Sequence, residues 1–270
     1  MTATTVRVFA PAKVNLALHV TGRRADGYHL LDSLVVFAGV GDWLEVTPAP
    51  EMALHVTGPC AAGVPVNAGN LVWRAADLAG VSARIGLEKH LPSAGGIGGG
   101  SADAAAVLRA LGAGAAGAEA LGADVPVCLR GRPARMRGIG EVLDPVPDLP
   151  AMWLLLVNAG VAVPTGPVFA GLAGFGAALP ALPALGWDGF GGFVDWLAQT
   201  RNDLERPALA VAPVIAEVLA RLDAAPGCAL ARMSGSGGTC FGLFAREADA
   251  RAAAAAMPEG WWAEAAEVLP

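Results

Sequence analysis

Short apolar segments fill the first part of the chain, and they have the alternating or continuous pattern that is typical of β-strands. These segments lie at residues 6–9, 14–20, 34–37, 43–47 and 85–88. Pro11 separates the first two of them. We therefore expect the chain to begin as a sheet.

Helical spacing of apolar residues follows this region and alternates with further strand-like runs. Asn70 is placed to cap the first helix, because an Asn side chain at the N-cap accepts a backbone N–H of the first turn. The predicted helices cover residues 70–79, 102–111, 118–121, 193–199, 213–222 and 247–257. The further predicted strands cover residues 152–157 and 240–244, and a turn at 123–126 starts another strand that runs through Leu129.

This mixture of strands and helices predicts an α+β protein with two lobes and a cleft between them. We place the lobes at residues 1–148 and 149–270.

Composition narrows the class of protein. With 54% hydrophobic and 16% charged residues, the 270-residue chain is not of the disordered class. The net charge of −6 and the scattered arginines form no basic patch, so no nucleic-acid partner is expected. The four cysteines form no C-x-x-C pair, which argues against a zinc site or a disulfide framework. Residues 1–10 contain one Arg and no signal-peptide core, so we expect a cytoplasmic location.

One long segment, residues 149–187, carries no charged side chain. Several prolines interrupt it before a membrane-spanning helix could form, and Asn158 lies in its most apolar part. We therefore expect no membrane span. The segment instead predicts a buried strand followed by an apolar linker or flap that packs on a ligand or on another subunit.

The run LPSAGGIGGGSADAAA at residues 91–106 is a glycine-rich loop that leads directly into an alanine-rich helix. Glycine allows close approach of the backbone to a ligand, and the start of a helix directs unpaired N–H groups at an anion. Ser101 is placed either to cap the helix or to bind phosphate or Mg²⁺. A loop without ligand is the alternative. No Lys follows the glycines, which excludes a P-loop, and the dinucleotide fingerprint fits poorly.

Three separated motifs ask for a common explanation: PAKVNL at residues 11–16, the glycine-rich loop, and SGSGG at residues 234–238. Together they resemble the superfamily of small-molecule kinases that includes galactokinase, homoserine kinase and the mevalonate kinases. The motifs RADGYH (24–29), GADVP (122–126), GIGE (138–141) and NDLE (202–205) are similar to one branch of it, whose substrate is a cytidine-diphosphate-linked small alcohol. The matches keep the family's order over nearly the whole chain.

The resemblance implies an N-terminal lobe like domain 2 of ribosomal protein S5 and a ferredoxin-like C-terminal lobe, with ATP and Mg²⁺ as cofactors. It leaves the oligomeric state open. It also implies that Asp124 accepts or orients the hydroxyl proton and that Lys13 stabilises charge on the transferring group, which are roles that phosphoryl transfer requires. Without the resemblance, an isolated Lys such as Lys13 is mostly a solvated surface charge, and an Asp before Val-Pro such as Asp124 is mostly a helix cap.

The remaining site residues implied by the resemblance fall into three groups. ATP contacts are assigned to Lys89, Pro92, Ala94, Gly95, Gly96, Ile97, Gly98, Gly99, Gly100 and Ser101, with Ser101 also the metal ligand. Substrate contacts are assigned to Asn15, Tyr28, His29 and Thr165, with the Tyr28-His29 pair at the cytidine. Ala102 replaces a serine that is usual in the family, which removes one hydroxyl from the phosphate site. Another kinase of the superfamily and a catalytically silent nucleotide-binding protein remain the alternatives.

Overall fold

Two long strands, β1 (Val6–Arg23) and β2 (His29–Pro48), open the chain and pair with each other. Each joins two of the predicted apolar segments. Pro11 does not interrupt β1, because its fixed φ is compatible with an extended backbone. Gly41 of β2 lies directly against the backbone of Ala10, where a Cβ atom would overlap the Ala10 carbonyl oxygen.

The computed structural model describes residues 4–93 and 95–270 of the chain. These residues group into two units that interleave along the sequence. The first unit contains residues up to 13, 40–93 and 98–131, and the second contains 14–39, 95–97 and 132–270. Both β1 and β2 contribute residues to both units. The predicted boundary between residues 148 and 149 stays a prediction, as does the predicted cleft.

In the first unit, β4 (Ala83–Glu88) lies between β2 and β3 (Ala53–Thr57). It is antiparallel to β2 and parallel to β3. The helices of this unit are α1 (Leu71–Leu78), α2 (Gly99–Ala110) and α3 (Val125–Arg130), with a 3₁₀ turn at Ala118–Ala120. Asn70 caps α1 as predicted, since the Val72 N–H donates to its side-chain oxygen at 3.0 Å.

Helix α2 is the centre of the first unit. Its residues from Ala102 to Leu108 are all buried, and it packs against both α1 and α3. The alanines leave room for neighbouring helices to approach closely. The predicted strand through Leu129 is wrong, because residues 125–130 form α3. Pro126 suits the first turn of a helix, and the buried Val125, Val127 and Cys128 form its inner face.

The second unit is built on an antiparallel sheet with the strand order β6-β5-β2-β10-β7-β9-β8. Its further strands are β5 (Ala134–Gly138), β6 (Val142–Pro145), β7 (Trp153–Asn158), β8 (Cys228–Met233), β9 (Thr239–Phe244) and β10 (Trp262–Leu269). Its helices are α4 (Thr165–Ala170), α5 (Gly189–Ala198), α6 (Glu205–Val211), α7 (Val214–Asp223) and α8 (Glu247–Ala255).

The core of this unit forms where α7 and α8 pack on the sheet. Leu155 of β7, Ile215 and Leu222 of α7, and Phe244 of β9 belong to one buried cluster. The sequence patterns at 152–157, 193–199, 213–222, 240–244 and 247–257 are confirmed as elements of the predicted type. The whole chain is therefore α+β, as predicted.

The uncharged segment forms β7 and the short helix α4, and residues 171–188 then run without a strand or helix to α5. Among the described residues, no helix combines the length and apolar character needed to cross a membrane. The four cysteines are free thiols, of which Cys128 and Cys240 are buried and Cys60 and Cys228 are half-buried.

Candidate active site

Lys13 and Asp124 form an ion pair in the first unit. Lys13 Nζ lies 3.0 Å from Asp124 Oδ2, and the side chains are 3% and 31% exposed. Lys13 is on β1, whereas Asp124 is the residue that begins α3 and makes no capping hydrogen bond with its side chain. The pair thus combines a buried cation with a carboxylate that solvent or a ligand can reach.

Gly98 brings the start of α2 to this ion pair. It is the N-cap of α2, has a φ of +65° and gives the helix no side-chain cap. A Cβ atom here would lie 3.0 Å from Lys13 Cε and 3.9 Å from Asp124 Oδ2. Glycine therefore leaves space between the helix start and the pair, and the first N–H groups of α2 keep their positive potential.

Ser101 lies in the first turn of α2 and is half-buried, and it is not the N-cap. Its hydroxyl oxygen is 3.8 Å from where a Cβ of Gly122 would lie, which places it beside the turn that leads to Asp124. The predicted ligand Ala94 lies outside the described residues. Pro92 is half-buried and Ile97 is buried, so Ile97 supports the loop through packing.

Lys89 is held in a buried cluster with two carboxylates. Its Nζ donates to Asp42 Oδ2 at 2.5 Å and to Asp103 Oδ2 at 2.9 Å. The other oxygen of Asp42 accepts the backbone N–H groups of His90 and Leu91, which lead into the glycine-rich loop. Lys89 therefore fastens the loop to α2, and a direct contact of its ammonium with ATP stays a prediction.

This cluster has more acidic than basic groups, since two carboxylates share one ammonium. The two carboxylates raise the pKa of Lys89 against the opposing effect of desolvation. Burial, with the nearby Asp42, raises the pKa of Asp103 to about 8. Asp103 Oδ1 is buried and has no hydrogen-bond partner.

In the second unit, the SGSGG loop (234–238) packs against the backbone of Gly95 and Gly96. Ser234 Oγ donates to the Gly96 carbonyl at 3.0 Å, and the Thr239 N–H donates to the Gly95 carbonyl at 2.9 Å. A Cβ at Gly96 would lie 2.5 Å from the Ser234 carbonyl oxygen. Both loops thus need glycine because their backbones are in direct contact.

Asn15 and Thr165 both contact this loop. The Asn15 N–H donates to Ser234 Oγ at 3.0 Å, and its side-chain amide donates to Ser33 Oγ at 2.8 Å. Thr165 Oγ1 lies 3.0 Å from Ser236 Oγ. The structure therefore brings these two predicted substrate residues to one loop.

His29 is part of an aromatic cluster in the second unit. Its ring centroid is 4.8 Å from that of Phe169, tilted by 31°, and 6.1 Å from that of Phe175, in an edge arrangement. Desolvation lowers the pKa of His29, and the charge of Arg23 adds to this effect. The imidazole is therefore neutral at pH 7. Tyr28 is 60% exposed.

Sequence reasoning missed several residues that form these sites. Asp42 and Asp103 surround Lys89, and Phe169 covers His29. A charged residue inside the apolar pattern of β2 was an available signal for Asp42, because buried charges need partners. Nothing local distinguished Phe169 from an ordinary apolar residue. Among the described residues, no group of three His, Cys, Asp or Glu side chains could hold a metal ion.

Two protein-family models match parts of the chain that contain several of the motifs described above. The family described as GHMP kinases N terminal domain matches residues 70–132, and the family described as GHMP kinases C terminal matches residues 178–261. The first match includes the glycine-rich loop, α2 and Asp124, and the second includes the SGSGG loop.

Full-length relatives narrow the family. The 4-diphosphocytidyl-2-C-methyl-D-erythritol kinase of Jannaschia sp. (strain CCS1) is 63% identical over 277 residues, covering 100% of this chain and 99% of the relative. The one from Cereibacter sphaeroides is 56% identical over 272 residues, covering 96% and 98%. A crystal structure of 4-(cytidine 5'-diphospho)-2C-methyl-D-erythritol kinase is 38% identical with a TM-score of 0.80, covering 98% of this chain and 100% of that one. The chain therefore belongs to the GHMP kinases and, within them, to the family of the 4-diphosphocytidyl-2-C-methyl-D-erythritol kinases.

Proposed function

We propose that this chain transfers the γ-phosphoryl group of ATP to the 2-hydroxyl of 4-diphosphocytidyl-2-C-methyl-D-erythritol, in the cytoplasm, as a step of the non-mevalonate route to isoprenoid precursors. Relatives that carry this kinase name match nearly the whole chain. The observation that carries the proposal is the Lys13–Asp124 ion pair beside the uncapped start of α2.

Asp124 acts as the base or orienting group for the substrate hydroxyl. Its carboxylate accepts the proton as the hydroxyl oxygen forms a bond to the γ-phosphorus and ADP leaves. The carboxylate is suited to this because it is partly exposed and makes no capping hydrogen bond. Lys13 keeps it in place and stabilises negative charge on the transferring group, since its ammonium is buried and 3.0 Å away.

The start of α2 holds the ATP phosphates. Its first backbone N–H groups have no side-chain cap, and Gly98 leaves the space that a phosphate needs. Mg²⁺ would neutralise phosphate charge, and the Ser101 hydroxyl would supply it with one protein oxygen.

His29 recognises the cytosine base, together with Tyr28. A neutral imidazole donates one hydrogen bond and accepts another, as the edge of a pyrimidine base requires. Aromatic rings around it provide a stacking surface, and Phe169 is the one in closest contact. Asn15 and Thr165 lie at the SGSGG loop, where they serve the diphosphate and the alcohol.

The test is a coupled kinase assay with ATP and 4-diphosphocytidyl-2-C-methyl-D-erythritol. We expect Asp124→Asn to lower kcat by about 100-fold or more, because it removes a role in the transition state. Its affinity for ATP, measured by calorimetry, is expected to stay near wild type. Asp77→Asn, at an exposed position of α1, is the matched control. Normal turnover in the Asp124 variant would contradict the assignment.

The same assay separates the alternatives. Another GHMP kinase would accept a small alcohol without the cytidine diphosphate group, whereas the proposed enzyme requires it. A silent nucleotide-binding protein would bind ATP and turn over neither substrate. The retained Lys13–Asp124 pair is the observation against the silent protein.

A further inference from the structure

A segment without helix or strand, residues 175–180, is fixed to the second unit by hydrogen bonds at most of its residues. We name these residues the strap. They lie in the uncharged part of the chain, between α4 and α5, and most of them are exposed. An exposed apolar segment of this kind is usually mobile. The many hydrogen bonds that anchor the strap are therefore unusual.

The first anchor is the end of β1. The Gly176 N–H donates to the Val20 carbonyl at 2.9 Å, while the Val20 N–H donates to Asp203 Oδ2 at 2.7 Å. Arg201 pairs with Asp203 at 2.5 Å and also donates to the Ala177 carbonyl at 3.2 Å. Asp203 of the NDLE motif therefore binds both the Val20 N–H of β1 and the guanidinium of Arg201, and Arg201 in turn holds the strap.

His19 adds a second bond to Ala177. The Arg201 N–H donates to Nε2 of His19 at 3.1 Å, so Nδ1 carries the proton and donates to the Ala177 carbonyl at 2.9 Å. Desolvation lowers the pKa of this buried histidine, which keeps the ring neutral and preserves that arrangement.

The third anchor is an ion pair between the half-buried Arg135 and the buried Asp32. Arg135 donates two hydrogen bonds to Asp32, at 2.8 and 2.6 Å, and Asp32 Oδ2 also accepts the Leu179 N–H at 2.9 Å. Arg135 in turn donates to the carbonyls of Leu179 and Pro180, at 3.1 and 3.4 Å. A bidentate pair of this kind fixes orientation as well as position.

These anchors determine where Phe175 lies. Its ring meets the His29 ring in an edge arrangement with centroids 6.1 Å apart, although its side chain is 53% exposed. A Cβ at the next residue, Gly176, would overlap the Arg201 guanidinium, so a larger residue there would displace that side chain from its contacts with the strap. Phe169 contacts the same imidazole at 4.8 Å. His29 therefore contacts a ring from α4 and a ring from the strap.

We propose that the strap is a positioning device for base recognition: it holds Phe175 against His29, so that the imidazole presents a fixed edge to the pyrimidine base of a nucleoside-diphosphate substrate. Phe175 is a positioning residue, since it acts through His29. The proposal rests on the proposed function, in which His29 reads the base. It gives the uncharged segment a role within the second unit.

The test compares Phe175→Ala with Leu185→Ala, a control at a fully exposed position of the same uncharged segment. We expect Phe175→Ala to raise KM for the cytidyl substrate by roughly three- to tenfold, as expected for the loss of an aromatic pair, with kcat and the KM for ATP unchanged. NMR titration of the His29 ring, assigned with His29→Gln, is expected to show its pKa moving up towards the ordinary value. Leu185→Ala should change neither quantity.

An unchanged His29 titration in Phe175→Ala would overturn the proposal, and so would a shifted titration with an unchanged KM for the cytidyl substrate. An equal effect of Leu185→Ala would also overturn it, because the effect would then not depend on the contact with His29. If wild-type protein does not phosphorylate the cytidyl substrate, the proposed function fails, and the NMR titration still decides whether Phe175 positions His29.

Discussion

At the scale of single residues, Asp103 is a buried carboxylate whose charge is only partly compensated by its neighbours. It shares the Lys89 ammonium with Asp42, and its second oxygen is buried without a hydrogen-bond partner. One ammonium cannot compensate two buried carboxylates, so the cluster favours a proton on one of them. The raised pKa of Asp103 has this origin: burial first, then the charge of Asp42.

This pKa predicts how stability depends on pH. A carboxyl group whose pKa is raised by folding binds its proton more tightly in the folded state. Its stabilising contribution to the free energy of unfolding is therefore complete below the ordinary pKa of 3.8 and is lost as pH rises through about 8. We expect the free energy of unfolding of the wild type to fall, relative to Asp103→Asn, between pH 5 and pH 9. Urea denaturation at several pH values measures it. Parallel pH profiles for the two proteins would contradict the prediction, and Asp77→Asn again serves as the control.

The pairing of Lys13 with Asp124 was predictable only through the family resemblance. The two residues are far apart in the sequence, and neither has a local pattern that separates it from a surface Lys or a helix-capping Asp. The assignment of Lys89 to ATP stays a prediction, and the resemblance did not predict the two carboxylates that bind its ammonium. A motif gives a position, whereas the carboxylates that surround an ammonium come from other elements, here β2 and α2.

At the scale of elements, local pattern identified half of the strands and most of the helices of the described residues but failed where tertiary contacts decide. The Val-Pro-Val sequence of α3 has β-branched residues that favour strands, yet its buried face packs on α2. Strand β10 was not predicted, because alanine and glutamate favour helix. It forms through pairing with β7 over residues 262–267 and with β2 at Val268 and Leu269.

The start of α2 supports a prediction on ATP binding. We expect Gly98→Val to weaken ATP binding much more than Ser101→Ala does, because a side chain at residue 98 fills the space beside Lys13 and Asp124. Calorimetric titration with ATP measures the effect. Gly112→Val is the matched control, since Gly112 follows the end of the same helix, has a φ of +67° and lies in open space, where a Cβ atom would meet nothing within 4 Å. Equal ATP affinities of the residue 98 and 112 variants would show that the phosphates bind elsewhere.

At the scale of the whole molecule, the chain passes from one unit to the other after residues 13, 39, 93, 97 and 131. A division at one point of the sequence, such as the predicted boundary at 148, therefore leaves parts of the second unit on both sides. Strand β2 belongs to the first piece, whereas its partner β10 belongs to the last residues of the chain.

We accordingly expect a fragment of residues 1–148 not to fold cooperatively. It contains residues 14–39 of the second unit but lacks β7, β9 and β10, so the apolar side chains of that part of β1 and β2 lose their core. Thermal unfolding followed by circular dichroism, with the full chain as reference, measures this. A sharp transition in the fragment would instead support residues 1–148 as a domain.

The strap is held almost entirely through its own backbone, and this has an evolutionary consequence. The carbonyl groups of Ala177, Leu179 and Pro180 accept the hydrogen bonds, and the side chains that donate them come from distant parts of the sequence. Most substitutions within the strap leave those bonds intact, whereas a change at His19 removes one of them and a change at Arg135 removes two. Selection on the bonds that hold the strap therefore acts mainly on residues outside it, whereas within the strap it acts mainly on Phe175, whose ring contacts His29.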